Sequence, residues 1–236
     1  YEMGFRASRP IYFLLNADEE IGSPTSRGFT ESVARRCAAA LVLEPSYGPQ
    51  GSLKTARKGV GEFKIQIGGT AAHSGLDPRK GVSATLELSR QLIYIQSLTD
   101  YSRGITLNPG IIRGGTRSNV IAAEAEALVD VRVRSSADAQ GVEKSLRRLK
   151  PYNRRAKIKV SGGMNRPPFE RTPKGAKLFR MARDSAHRLG IALGEAAVGG
   201  GSDGNFTAAL GVPTLDGLGA VGDGAHAANE HVIIAE

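Results

Sequence analysis

Three consecutive acidic side chains, Asp18, Glu19 and Glu20, follow an apolar stretch from Ile11 to Leu15. Such a stretch is typical of a buried strand. Carboxylates this close together repel one another, and each loses favourable hydration when it leaves water. A positive charge beside them would resolve the conflict, and either the N-terminus of a helix or a metal ion could supply it. The residues by themselves leave both possibilities open.

A fourth carboxylate and a histidine occupy similar positions elsewhere in the chain. Glu44 follows the apolar run "ALVL", and His226 lies in the glycine-rich segment "GDGAHAANEHV". In open α/β sheets, ligands bind beyond the carboxyl ends of the strands. We therefore expect Glu19, Glu20, Glu44 and His226 at one sheet edge, where mixed nitrogen and oxygen donors suit zinc. The alternative is that the carboxylates cap helix N-termini.

The composition is ordinary for a globular protein. The chain has 236 residues, of which 40% are apolar and 23% charged, and no apolar run approaches the ~20 residues of a membrane helix. A single cysteine, Cys37, excludes an internal disulfide and a cysteine-based zinc site. The net charge of +9 comes from dispersed basic residues, so we expect an anionic substrate and neither a nucleic-acid nor a membrane partner. The sequence does not indicate a compartment.

The order of apolar patterns predicts an α/β protein with two parts. "RPIYFLLNAD" and "ALVLEP" are expected as parallel strands around the helix "SPTSRGFTESVARRCAAA", which makes a βαβ unit. Residues 58–166 show the order β-α-β-β-α-β of a ferredoxin-like insertion. We therefore predict a mostly parallel-sheet catalytic domain from residues 1–57 and 167–236, incomplete in this chain, around an inserted domain of residues 58–166.

Several motifs occur in a characteristic order along the chain. They are "NADEEIGSPTSRGF", "LEPS", "GTAAHSGLDPRKGVSA", "SNVIAAEAEALVDVR", "RPPFE", "GGGSDGNFTAAL" and "GDGAHAANEHV". Together they resemble the zinc-dependent amidohydrolase family of glutamate carboxypeptidase, acetylornithine deacetylase and succinyl-diaminopimelate desuccinylase. The resemblance covers essentially the whole chain and is greatest to the glutamate carboxypeptidase branch. No single motif, such as "GGGSDG", would be sufficient alone.

The resemblance implies a role for each matching residue of the metal centre. Glu19 matches the general base that takes a proton from a metal-bridging water. Glu20 and His226 match ligands of one zinc ion, and Glu44 matches a ligand of the other. Such a site holds two zinc ions when complete, with cobalt or manganese as substitutes. The bound water then becomes a nucleophile at neutral pH.

The remaining implied roles concern the substrate and the inserted domain. His73 matches a histidine that polarises the substrate carbonyl, in some members from the neighbouring subunit. Arg166 matches an arginine that binds a substrate carboxylate, and Asn119 matches an asparagine near the substrate. For Gly200 and Gly201 we expect a close backbone approach to substrate; a tight turn is the alternative. The inserted domain matches a lid and dimerisation domain, which implies a homodimer acting on a small anionic N-acyl amino acid or peptide.

The sequence departs from the family pattern in one respect. The family also uses a His-x-Asp pair and a bridging aspartate upstream of the acidic triplet, and none of the four histidines here is followed by x-Asp. The chain therefore looks truncated at both ends, and we expect it to be inactive or nearly so by itself.

Three other classes of function compete with this hypothesis. A non-catalytic dimerisation or interaction module remains the alternative. An RNA-binding ferredoxin-like domain would need aromatic residues on its sheet, where the predicted strands offer little beyond Phe63. A dinucleotide-binding enzyme is disfavoured because "GGGSDG" lacks the G-x-G-x-x-G spacing.

Overall fold

The computed structural model describes residues 7–234, which form five α-helices, one short 3-10 helix (Pro78–Lys80) and ten strands within that range. We call residues 58–166 the lid, and residues 7–57 with 167–234 the flanks. The boundaries between these parts remain a prediction. In chain order the elements are α1 (Arg27–Ala34), β1 (Ala40–Leu41), β2 (Leu53–Arg57), β3 (Gly59–Gly68), α2 (Ala84–Ser97), β4 (Thr106–Gly114), β5 (Glu124–Val133), α3 (Ser136–Arg147), β6 (Lys157–Arg166), α4 (Pro173–Arg188), β7 (Glu195–Val198), α5 (Gly204–Ala209), β8 (Thr214–Leu215), β9 (Gly222–Asp223) and β10 (His231–Val232).

The lid is a four-stranded antiparallel sheet with the strand order β4-β5-β3-β6. Buried and more open residues alternate along β3 and β5, the period of two expected of strands with one covered face. Helices α2 and α3 pack on the covered face, with Leu88 and Leu146 in the same apolar cluster as Phe63 and Val129. The predicted ferredoxin-like β-α-β-β-α-β arrangement is confirmed.

A buried carboxylate ties α2 to the turn before β6. Glu87 is 2% exposed and accepts hydrogen bonds from the backbone N–H groups of Tyr152 and Asn153 and from the Gln91 amide. Burial alone would raise the pKa of Glu87, but these hydrogen bonds outweigh it and hold the pKa below its ordinary value. Because its acceptors are satisfied, this charge stabilises the lid.

The flanks contain three small two-stranded sheets. β1 pairs with β8 and β2 pairs with β7, both in parallel, while β9 and β10 form an antiparallel hairpin. Helix α4 begins at a Thr172 side-chain cap and is followed by Gly190 at φ +77°, the left-handed position that glycine favours, as its sequence predicts. Helix α1 is shorter than predicted, ending at Ala34.

The predicted strand over "RPIYFLLNAD" is wrong for this structure. No strand forms before β1 in the described residues, and Ile11, Phe13 and Leu15 are 64%, 84% and 99% exposed. The predicted βαβ pairing fails with it, because β1 pairs with β8 instead. A strand needs a neighbour for its backbone N–H and C=O groups, and within residues 7–234 none lies alongside this segment.

The helices also bear on the membrane question. Among the described residues, no helix combines the length and apolar composition needed to cross a bilayer.

Candidate functional site

Arg166 is the centre of a cluster of charged and polar side chains. It is the last residue of β6, lies opposite Val60 of β3, and is 6% exposed. Its Nη2 donates to the Glu19 backbone oxygen at 3.0 Å, to Glu19 Oε1 at 2.5 Å and to Asp203 Oδ1 at 3.2 Å. Its guanidinium also lies 5.3 Å from the Phe206 ring centroid. The cluster thus joins the end of the lid sheet to both halves of the flanks.

Asp203 was not predicted from the sequence. It follows the glycine loop at the start of α5, and its carboxylate accepts hydrogen bonds from Ser23 Oγ at 2.5 Å and from the Asn16 side chain. Ser23 is fully buried and has φ +57°, a left-handed conformation that is uncommon outside glycine. The sequence gives little indication of this role, because an aspartate directly before a helix is also expected as a helix N-cap.

Each of the three consecutive acidic residues has its own partner. Asp18 Oδ2 accepts from the Thr25 backbone N–H and hydroxyl, both at 2.8 Å. Hydrogen bonds from the Ser26 hydroxyl and from Thr25 hold the pKa of Asp18 far below its ordinary range. Glu19 pairs with Arg166, and Glu20 faces His226. The repulsion among the three carboxylates is therefore reduced, because each has a different neighbour. For Asp18 that neighbour is the turn before α1.

Glu20 and His226 form the second part of the site. His226 Nε2 lies 3.8 Å from Glu20 Oε2, and both side chains are 78% exposed. His226 sits between β9 and β10 with φ +63°. Non-glycine residues held in this region cost free energy and occur often at functional sites. The turn between β9 and β10 therefore places His226 beside Glu20 of the acidic triplet.

Glu44 lies deeper than Glu20 and His226. It is partly buried after β1, and its backbone oxygen accepts a hydrogen bond from the Gly219 N–H at 2.9 Å. Burial raises the pKa of Glu44, and the charges of Glu19 and Asp216 raise it further. Glu44 thus lies close enough to Glu19 for their charges to interact.

The predicted metal ligands do not form a complete site by themselves. Within residues 7–234, no three His, Cys, Asp or Glu side chains are grouped closely enough to hold one metal ion. Glu20 and His226 supply two donors, whereas zinc takes at least three protein ligands. The residues present therefore do not fit a full zinc centre.

His73 and Asn119 lie at the other end of the lid. Arg166 pairs with Val60 at the start of β3. His73 follows the end of β3 and forms an isolated bridge with Val120. Ten strand residues separate the two ends, about 30 Å at the usual rise per residue. The Ser74 N–H donates to the Asn119 backbone oxygen at 3.0 Å, so His73 and Asn119 lie on two adjacent antiparallel segments. The fold does not bring them to Glu19 of the same chain.

The hydrogen bonds of His73 define which ring nitrogen carries the proton. Its Nδ1 accepts from the backbone N–H groups of Gly75 and Leu76, both at 3.2 Å. In the neutral ring Nε2 therefore holds the hydrogen, and the side chain is exposed. An exposed Nε2–H is a donor suited to a carbonyl oxygen.

The predicted glycines pack against arginine side chains. A Cβ on Gly201 would lie 2.7 Å from Arg166 Cδ, so only glycine fits there. The backbone oxygens of Gly200 and Gly201 accept hydrogen bonds from Arg57 Nη1 at 3.1 and 3.5 Å. The loop therefore lies between two arginines, an arrangement that the sequence did not reveal.

Comparison with known proteins decides the family. A model of the peptidase dimerisation domain matches residues 55–150. Carboxypeptidase G2 of Pseudomonas sp. (strain RS-16) is 31% identical over 228 residues, covering 95% of this chain and 55% of the relative. The chain belongs to the M20 peptidase family. It spans about half the length of the curated relatives it matches, and its similarity to carboxypeptidase G2 supports the glutamate carboxypeptidase branch of M20.

Solved structures agree with this M20 fold. Aminopeptidase PepT from Bacillus cereus superposes with a TM-score of 0.70 at 22% identity, covering 89% of this chain and 57% of PepT. The aminobenzoyl-glutamate utilization protein from Klebsiella pneumoniae gives a TM-score of 0.54 at 21% identity, covering 76% of this chain and 49% of that protein. The α/β fold with a ferredoxin-like lid is thus that of M20 peptidases.

Proposed function

We propose that this M20 protein hydrolyses an amide bond beside a free carboxylate, in an N-acyl amino acid or a peptide ending in glutamate. The buried guanidinium of Arg166 carries the proposal. Its planar fork suits a carboxylate, and two carboxylates, Glu19 and Asp203, already contact it. A substrate carboxylate would exchange with one of them. The carboxypeptidase activity in the name of the 31% identical relative supports the same substrate class.

Glu19 is the proposed general base, and Arg166 the proposed substrate anchor. In the complete, zinc-loaded protein, Glu19→Gln should abolish turnover of N-acyl glutamates while zinc remains bound, because the amide cannot accept the proton. Arg166→Lys should mainly raise KM, since it weakens ground-state binding. Glu31→Gln, in an ion pair with Arg27 on α1, is the matched control. Unchanged turnover after Glu19→Gln would contradict the role of Glu19.

Zinc is the proposed cofactor, with cobalt or manganese as substitutes and with Glu20, Glu44 and His226 as ligands. The nitrogen and oxygen donors support this choice. Because the described residues form no three-ligand group, the chain alone should hold at most about one ion, weakly, and should be inactive. Elemental analysis after dialysis tests this. Two tightly held ions per chain would show that further ligands join from elsewhere and that the chain alone is competent.

The proposed partner is a second copy of the chain, bound through the lid. β4 is an edge strand with Ile111 and Ile112 exposed, and α2 exposes Leu86 and Ile93 seven residues apart on one face. An unpaired apolar edge favours strand addition. β4 runs from the end of the lid near Arg166 towards the end that carries His73. Antiparallel pairing of two β4 strands would therefore bring His73 of each copy towards the other's carboxylates.

A groove on the uncovered face of the lid sheet is consistent with this arrangement. It has a volume of about 900 Å³ and is lined by Val120, the bridge partner of His73, and by charged side chains of the sheet. In the proposed dimer this face would lie near the partner's substrate. The charged residues that line it are Arg113, Glu124, Glu126, Lys157 and Lys159.

Mixing two inactive variants tests whether His73 acts on the partner subunit. In the complete protein, His73→Ala and Glu19→Gln should each be inactive alone. After mixing and re-association, about a quarter of the original activity should return, because half of the dimers are mixed and each of these holds one intact site. No recovery would contradict a shared site. Ile112→Lys should abolish both the dimer and the recovery.

A non-catalytic dimerisation module is the second candidate, and the self-contained apolar core of the lid favours it. This second hypothesis predicts that the chain dimerises. It also predicts that a longer protein carrying the family's upstream His-x-Asp pair and bridging aspartate neither binds zinc nor hydrolyses N-acyl amino acids. Turnover by a longer protein that includes this chain would contradict it.

A further inference from the structure

Arg57 and Asp216 form a buried ion pair behind the candidate site. Arg57 is 5% exposed and Asp216 is fully buried. Arg57 Nε donates to Asp216 Oδ2 at 2.8 Å, and Nη2 donates to Oδ1 at 2.7 Å, the parallel two-bond geometry of an arginine fork. Within residues 7–234, neither residue forms a hydrogen bond or ion pair with Glu19, Glu20 or His226. The charges of the pair act on Glu44 only through space, so no role proposed above explains why the two side chains are paired.

The same two side chains hold the glycine loop from both sides. The third nitrogen of Arg57, Nη1, donates to the backbone oxygens of Gly200 and Gly201. Asp216 Oδ2 accepts from Ser202 Oγ at 2.5 Å, and Ser202 Oγ in turn accepts from the Gly204 N–H at 3.1 Å. Three successive residues of the loop are therefore fixed by one ion pair.

The glycine loop in turn sets the position of Arg166. Gly201 lies so close to Arg166 that a Cβ would meet its Cδ at 2.7 Å, and Asp203 contacts its Nη2 at 3.2 Å. A shift of the loop by a few tenths of an ångström would move both contacts. The path runs from Arg57 through Gly201 to Arg166, and each step is a direct contact.

We infer that Arg57 and Asp216 are positioning residues, which fix the loop of residues 199–203 and through it the carboxylate anchor Arg166. The inference rests on the proposed function only for its consequence in substrate binding. A buried ion pair that replaces apolar packing is often neutral for stability, whereas its fixed geometry specifies where the loop lies. This explains why Arg57, the last residue of β2, and Asp216, directly after β8, are charged although burial disfavours charged side chains.

Amide hydrogen exchange on the chain itself tests the positioning role. Arg57→Lys keeps the charge but loses the fork, so it cannot hold Asp216 and the two glycine oxygens together. Exchange in residues 199–205 should become at least about tenfold faster, with the lid sheet unchanged. Arg171→Lys, in an exposed pair with Glu195 on the neighbouring β7, is the control and should leave the loop unchanged. Unchanged amide exchange in residues 199–205 would overturn the inference. Exchange that becomes equally faster throughout the flanks would also overturn it.

A second variant separates positioning from folding. Arg57→Met combined with Asp216→Leu replaces the pair by apolar side chains of similar size, which should preserve the melting temperature. Amide exchange in residues 199–205 should still be faster than in the unchanged chain. A loop as protected as in the unchanged chain would overturn the inference, because packing alone would then position it.

Kinetics of the complete protein give the functional consequence. Arg57→Lys should raise KM for N-acetylglutamate about tenfold with kcat within about twofold, since a displaced Arg166 weakens ground-state binding. A lowered kcat with unchanged KM would overturn the link to Arg166. If the unchanged protein shows no turnover of N-acyl glutamates, the proposed function fails, while the exchange experiment still decides the positioning role.

Discussion

The lid and the flanks fill their interiors in different ways. In the described residues the lid buries 18 side chains in one apolar cluster around its sheet, whereas the main apolar cluster of the flanks buries three, Leu53, Phe179 and Leu215. The flanks instead bury charged and polar side chains, among them Arg57, Asp216 and Ser202. Apolar burial supplies most of the stability of a domain, while buried polar networks mainly specify geometry. The lid is therefore built for stability and the flanks for a defined site.

The strongest way to break this comparison is to separate the two parts. Residues 58–166 alone should unfold cooperatively, with a free energy of unfolding of at least about 5 kcal/mol, because their core is self-contained. The flanks joined without the lid should show no cooperative transition. Urea denaturation followed by circular dichroism measures both, and sedimentation of the lid fragment reports its self-association. A cooperative flank fragment would show that the polar interior is stabilising by itself.

Two phenylalanines compare the parts at single-residue level. Phe63 in β3 is fully buried and Phe13 in the flanks is 84% exposed. Phe63→Ala should cost about 3–5 kcal/mol, because it leaves a cavity in a packed core. Phe13→Ala, which removes the same atoms, should change the free energy of unfolding of the chain by less than about 0.5 kcal/mol. A large effect at Phe13 in urea denaturation would reveal burial of that segment by a partner.

The charged interior of the flanks can be tested at Arg166. Arg166→Met keeps the length but leaves Glu19 and Asp203 without their cation, and should destabilise the flanks by about 3 kcal/mol. The expected loss is at the low end for a buried pair, since Glu19 keeps 25% of its side chain exposed. Arg132→Met is the control, because its pair with Asp130 is more open and should contribute less than about 1 kcal/mol. Equal losses of unfolding free energy in Arg166→Met and Arg132→Met would contradict the distinction between the buried and the more open ion pair.

The sequence was informative where structure depends on local pattern. Alternation along β3 and β5 predicted the lid sheet, because its strands pair within one segment of chain. The apolar run before the acidic triplet failed as a strand, since apolar pattern predicts burial but not a pairing partner. The distance between His73 and Arg166 was in principle accessible, because ten residues of strand already imply about 30 Å.

Buried charges were the part that the sequence did not reveal. Arg57 and Asp216 are buried and Asp203 is partly buried, yet side chains of these types are usually exposed, so no sequence pattern marks them as interior. Their burial depends on partners far apart in the chain, such as Arg57 with Asp216. Motif resemblance found Glu19 and Arg166, but the contacts between them come only from the fold.

Glu87 tests whether a buried charge can also stabilise the lid. Glu87→Gln should cost about 1–3 kcal/mol at pH 7, because the amide cannot satisfy the N–H groups of Tyr152 and Asn153 equally well. The pKa of Glu87 is lowered from its ordinary value of 4.5. Its contribution is therefore present above pH 4.5 and lost as the pH falls through the lowered pKa. Urea denaturation at pH 7 and pH 3 should show a smaller pH effect in the variant.

Helix caps give the smallest and most closely matched comparison. Ser83 caps α2 of the lid by accepting from the Leu86 N–H, and Thr172 caps α4 of the flanks by accepting from the Gly175 N–H. Ser83→Ala and Thr172→Ala should each cost about 1 kcal/mol. In the lid, the loss should lower the global unfolding free energy, because α2 belongs to the main core. In the flanks, it should appear as faster amide exchange confined to α4, because that region opens separately. A global loss from Thr172→Ala would mean that the two parts unfold as one unit.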